Sequence, residues 1–193
     1  MRSSLELLLL SLVRDGFATP YELKAHADIS LGSTVPALAR LAEDGLIRAS
    51  EPQSRRSRRY SVTSKGAKIL DSEWREQLKS GVSDVESALR IAYLALLNRD
   101  TEHCAQFLER SSNRLCGLAT MAEAEATRFA QHSEGTNNET LRWLRARVAV
   151  RRLESEANEL RALAAEIRKR TSDGAEIRKK NKIAKRRKSQ IPN

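Results

Sequence analysis

The chain has 193 residues and carries 35 Lys and Arg against 25 Asp and Glu, a formal net charge of +10. Aromatics make up 4%, with 8 Gly and 4 Pro, and 31% of the residues are charged. This composition suits a mostly helical soluble protein and excludes a β-sandwich or barrel, which needs frequent turns and β-branched strands. No apolar run approaches the roughly 18 residues of a membrane span. Glu6 interrupts the Leu-rich start, Arg14 and Asp15 follow it, and it has no small-x-small cleavage site. That stretch therefore predicts a helix of the mature protein rather than a signal peptide. Cys104 and Cys116 supply no disulfide framework, so a reducing cytoplasm is expected.

The charge is uneven. Residues 1–70 are net +4, residues 71–171 are balanced, and residues 172–193 are net +6. A basic N-terminal region points to a polyanion, and a balanced helical middle to solvated faces and protein contact.

Leu5, Leu8, Leu9 and Leu12 follow the spacing of a helix with one buried stripe, stopped at Gly16. Thr19-Pro20, with Glu22 three residues after Thr19, reads as a capped helix start, and this second helix runs to about Ala27 and buries Tyr21 or Leu23. A turn over 28–32 leads to a third helix from about Ser33, with Val35, Leu38, Leu41 and Ala42 on its core face and a stop at Asp44-Gly45. Leu46 to Ala49 and Arg59 to Val62 are strand candidates, joined by a polar segment loaded with Arg55, Arg56, Arg58 and Arg59. Thr63 to Gly66 caps a further helix carrying Ala67, Ile69, Leu70 and Trp74. Three short helices, a basic hairpin and a helix make a winged helix-turn-helix. In that arrangement the third helix enters the major groove and the hairpin reaches along the duplex.

Five segments occur in the order seen in PadR-family transcriptional regulators: Leu5 to Leu10, Pro20 to Leu23, Pro36 to Leu41, Asp44 to Ile47 and Arg59 to Gly66. The chain resembles that family over about residues 1–75. A weaker likeness at Glu73-Trp74, around Leu89 to Leu97 and at Leu141 to Leu144 extends it to the longer members with a helical, virulence-activator-like C-terminal domain. The chain departs from the family at Pro20, where Gly is usual, and at Val35, where Tyr is usual. The resemblance implies a homodimer on a palindromic operator, dimerisation through the C-terminal helices, repression by family habit, and for some members a small aromatic effector. It implies a cytoplasmic, nucleoid-associated protein of a bacterium.

With Val35, Leu38 and Leu41 facing the core, Ser33, Thr34, Ala37 and Arg40 lie on the opposite side as candidate DNA contacts. Ser33 and Thr34 sit at a helix N-terminus suited to a phosphate, and Arg40 suits a bidentate contact with guanine. Arg55, Arg56, Arg58 and Arg59 are the candidate phosphate or minor-groove contacts of the wing. Tyr60 reads as a core strand residue.

Helices are predicted over 84–98, from Thr101 to about His132, and over about 138–170. In the last, Trp143, Ala146, Val150, Leu153, Ala157, Leu160, Ala164 and Ile167 recur in alternating steps of three and four, a heptad seam. Such a seam needs a partner, either the helix before it or another subunit, and Trp143, Val150, Leu153, Leu160 and Ile167 are the dimerisation candidates. The expected domains are 1–78 for DNA binding, 79–171 for dimerisation and 172–193 as a disordered basic tail.

Nothing points to an enzyme. His26, His103 and His132 with two cysteines give no metal-ligand spacing, and no phosphate loop, dinucleotide fingerprint or nucleophile elbow occurs. No cofactor or metal is expected, and no basic group is evidently placed to activate either thiol. Trp74, Trp143, Phe107 and Tyr93 are either core or the lining of an effector pocket. The rival reading is a helical adaptor with only non-specific DNA affinity. The wing arginines speak against it.

Overall fold

The computed structural model describes residues 2–50, 58–132 and 137–188, with the backbone alone for 132, 137 and 174–188. The fold is mostly α: a winged helix-turn-helix domain with a small two-stranded wing, followed by a helical region. The elements are α1 (Ser4–Arg14), α2 (Pro20–Ala27), α3 (Leu31–Glu43), β1 (Ile47–Ala49), β2 (Tyr60–Val62), α4 (Ser64–Gln77), α5 (Val85–Leu97), α6 (Thr101–His132) and α7 (Asn137–Lys188). The chain forms two compact units, Met1–Phe107 and Leu108–Asn193.

In the first unit α1 is the centre. Ser3 and Glu6 close a capping box at its start. Leu7, Leu8, Leu9, Leu10 and Leu12 are all buried, so the helix is apolar nearly all round rather than along one stripe. Helices α3, α4 and α5 and strand β2 surround it. Helix α5 packs on α1 and so falls within the first unit.

Thr19 caps α2 with the expected box: Glu22 N–H donates to its hydroxyl, and Glu22 accepts from Thr19 N–H at 2.9 Å. Leu23 is the buried residue of this helix, and Tyr21 is 66% exposed. Asp28 ends α2 at φ 50°, a left-handed turn that Asp tolerates, and Ser30 caps α3. Gly45, at φ 69°, turns the chain from α3 into β1. The strands pair antiparallel, Ile47 opposite Val62, Arg48 opposite Ser61 and Ala49 opposite Tyr60.

In the second unit α6 and α7 lie antiparallel. Ser112 Oγ donates to the Ala157 carbonyl at 2.7 Å, Arg147 pairs with Glu123 at 2.7 Å, and Arg168 grips both oxygens of Glu109. Ala146, Val150, Ala157, Leu160 and Ala164 are buried along this seam, facing Leu115, Ala119 and Ala126. The seam's partner within the chain is therefore α6. Of the dimerisation candidates, Val150 and Leu160 are buried, Leu153 and Ile167 half-buried, and Trp143 is 36% exposed. The α7 backbone stays helical to Lys188, through most of the stretch that composition assigns to a disordered tail. Propagating an existing helix fixes only one residue per added bond, and Lys, Arg, Glu and Ala are good helix formers.

Candidate nucleic-acid interface

The outward face of α3 is not the one left by placing Val35, Leu38 and Leu41 in the core. The helix starts at Leu31, ahead of Ser33, and Thr34, Ala37, Leu38 and Leu41 are its buried residues. Their spacing is i, i+3, i+4 and i+7, the fuller form of a one-face stripe. Thr34 can be buried because its hydroxyl donates to the Ser30 carbonyl at 2.9 Å. Ala37, fully buried, is small enough for a close approach. Thr34 and Ala37 are thus core residues rather than surface contacts, and Val35 is 51% exposed rather than core. The exposed face comprises Gly32, Ser33, Val35, Pro36, Ala39, Arg40 and Glu43. Ser33 and Arg40 lie on it as expected. Val35 was assigned to the core, and Pro36 and Ala39 were passed over, because apolar residues are placed inward by default.

Arg40 does not stand free. Its Nε donates to Glu6 Oε1 at 3.1 Å, while its side chain remains 55% exposed. Burial would raise the Glu6 carboxyl, but hydrogen bonds from Arg40 and Ser3 outweigh it and hold the group below its ordinary value.

The wing is anchored at three points. Tyr60 N–H donates to the Ala18 carbonyl at 2.7 Å, Ser50 N–H to Arg59 O at 2.8 Å, and Thr63 Oγ1 to Gly45 O at 2.8 Å. Arg48 and Ser61, directly opposed, are both exposed, while Ile47 is buried and Tyr60 half-buried. This is the alternation of a half-buried hairpin. Arg48 was not singled out in the sequence, though its alternate position between Ile47 and Ala49 is the signal that would have found it. Arg58 and Arg59 are exposed, and Arg59 lies 3.8 Å from Glu22, the acid of the α2 capping box. Arg55 and Arg56 lie outside the described residues. Among the described residues, Arg40, Arg48, Arg58 and Arg59 therefore set four exposed guanidiniums on α3 and the wing.

The aromatic candidates divide. Trp74 and Phe107 are buried in the first unit, at 3% and 0% exposure, and Tyr93 is half-buried. His26 stacks on Phe17 with ring centroids 3.8 Å apart, and His103 Nδ1 meets Asp100 at 2.8 Å. Among the described residues no group of three or more His, Cys, Asp or Glu is placed to hold a metal ion, and no helix is long and apolar enough to cross a membrane. Cys104 is buried against the Ala92 carbonyl, and burial, followed by Asp100, pushes its thiol up to about 11. Cys116 is half-buried with the Arg161 guanidinium 3.6 Å from its sulfur, a basic neighbour the sequence did not reveal.

No family model matches this chain, and neither does any curated protein. Among solved structures, it is similar over 84% of its length, and 98% of the other chain, to the crystal structure of Bacillus subtilis PadR in complex with operator DNA, at 16% identity and a TM-score of 0.35.

Proposed function

We propose that this protein is a sequence-specific DNA-binding transcription regulator of the PadR kind, with α3 in the major groove and the wing along the duplex. One observation carries the reading: α3 and the wing together expose the guanidiniums of Arg40, Arg48, Arg58 and Arg59. Cations so disposed fit phosphates and groove edges. Arg40 contacts guanine, Ser33 a phosphate, and Arg55, Arg56, Arg58 and Arg59 the backbone beside the wing.

The protein acts as a homodimer on a palindromic operator in a bacterial cytoplasm, as a repressor answering to a small aromatic effector, as its resemblance to PadR regulators implies. The exposed stripe Leu141, Leu144 and Val148 on α7, turned away from the seam that carries Trp143, Leu153 and Ile167, favours a second subunit. Val150 and Leu160 then support dimerisation indirectly, by shaping the hairpin that presents this stripe.

The test titrates the protein against labelled DNA from upstream of its own gene, beside a scrambled duplex, at two salt concentrations. The expected result is at least about 10³-fold tighter binding to the upstream fragment. Its footprint is an inverted repeat spaced by about one helical turn. Equal binding to both duplexes with a steep salt slope would turn the reading towards a remote operator or a helical adaptor. Sedimentation of a monomer well above operator-binding concentrations would remove the dimer.

A further inference from the structure

The outward face of α3 is poor in hydrogen-bonding side chains. Ser33, Arg40 and Glu43 are the polar members, and Arg40 already commits its Nε to Glu6. Helix α3 contains no Asn or Gln, the side chains that read adenine through paired hydrogen bonds. The middle of the face is apolar: Val35, Pro36 and Ala39 are exposed side by side, one or one turn apart. One exposed apolar residue is ordinary, but three adjacent ones on the outward face of a helix that also exposes Arg40 are a surface. Pro36 adds a second argument. It lies inside α3, where a proline removes a backbone hydrogen bond, and its exposed ring contributes nothing to the core. An alanine there would make the better helix.

In the major groove the apolar feature of a base edge is the 5-methyl group of thymine. We propose that α3 discriminates among DNA sequences chiefly through thymine methyl groups, received by Val35, Pro36 and Ala39. The inference rests on the reading of α3 as the groove-entering helix. Charge complementarity around the face selects duplex DNA as the occupant, and the absence of an adenine-reading amide leaves the methyl as the mark of an A·T pair. Arg40, held through Nε, turns its terminal nitrogens to a neighbouring guanine.

The experiment selects a preferred duplex from a randomised pool with the full chain, then replaces each thymine in turn by uracil, which removes only the methyl. Binding weakens about fourfold for each methyl in contact. Val35→Ala and Pro36→Ala each bind the thymine duplex as weakly as the unaltered protein binds one of the uracil duplexes, and lose sensitivity to that substitution. Pro36→Ala also melts at a higher temperature, which separates readout from stability. A specific duplex bound equally well with uracil at every position overturns the inference and leaves the regulator reading standing. A uracil penalty that persists undiminished in both variants also overturns it, because the methyls are then read elsewhere. A pool that yields no preferred duplex overturns the regulator reading, and the inference falls with it.

Discussion

Glu6 on α1 accepts a hydrogen bond from Arg40 Nε on α3 at 3.1 Å, so the central helix of the first unit grips the only Arg or Lys of α3. The carboxylate side chain is 10% exposed and the guanidinium 55%. The contact therefore lies between a surface ion pair of little worth and a buried one whose disruption strands a charge. Arg40→Ala should lower the unfolding free energy by about 1–2 kcal/mol, because Glu6 is left with only its Ser3 partner. Urea denaturation measures it. Arg40→Lys keeps the charge but cannot reproduce the Nε geometry, so it recovers only part of the loss.

The same pair sets a pH dependence. The folded Glu6 carboxyl lies below its ordinary value of 4.5, so its stabilising contribution is present above that value and is lost as the pH falls through the lower folded one. Glu109, lowered first by its hydrogen bond from Arg168, behaves alike in the second unit. Denaturation midpoints measured from neutral pH down to about pH 3 should fall for the unaltered protein and fall less steeply for Glu6→Gln. Parallel curves for the two proteins would show that the pair contributes no linkage.

Two glycines make opposite predictions. A Cβ on Gly66 would lie 2.1 Å from the Leu46 carbonyl oxygen and 2.9 Å from its carbon, both backbone atoms that cannot step aside. Gly66→Ala should cost at least about 2 kcal/mol, since it forces the start of α4 away from the wing. Gly117, in α6, has nothing within 4 Å of the same position. Gly117→Ala should stabilise by about 0.5–1 kcal/mol through helix propensity alone. Thermal melts of both variants decide the matter.

Local signals account for what was legible. Capping boxes at Thr19 and Glu22, the Asp44-Gly45 stop, and the Thr63 cap lie within a few residues of the elements they bound, and those elements form where the spacing predicts. The phase of α3 was not legible, because both candidate faces contain Leu38 and Leu41, and Thr34 looks polar until its hydroxyl finds the Ser30 carbonyl. The partner of the α7 seam was likewise open, since a heptad pattern states that a helix is packed but not on what. Arg161 gains its significance from a neighbour distant in sequence, Cys116, which no local pattern supplies.

The two thiols should differ in reactivity. Cys104 is fully buried and its thiol is pushed up to about 11, so at pH 8 it stays protonated and covered. Cys116 is half-buried with a guanidinium 3.6 Å away. A thiol-reactive chromophore should label one cysteine of the native protein quickly, and Cys116→Ser should abolish that fast phase. The second cysteine should react only on unfolding. Fast labelling that survives Cys116→Ser would mean that the α5–α6 packing around Cys104 opens readily.

Under the proposed function, Arg48 tests the division of labour between the wing and α3. It is exposed on β1 opposite Ser61, so Arg48→Ala should leave stability within about 0.5 kcal/mol. If it meets a phosphate, its loss weakens binding to every duplex by the same factor. It also lowers the slope of log affinity against log salt by about 0.9. Arg40→Ala should instead weaken the preferred duplex more than a scrambled one, because a base contact carries sequence information and a phosphate contact does not. Affinities of both variants on both duplexes, each at several salt concentrations, separate the two roles. An Arg48→Ala loss confined to the preferred duplex would place the wing among the base-reading elements.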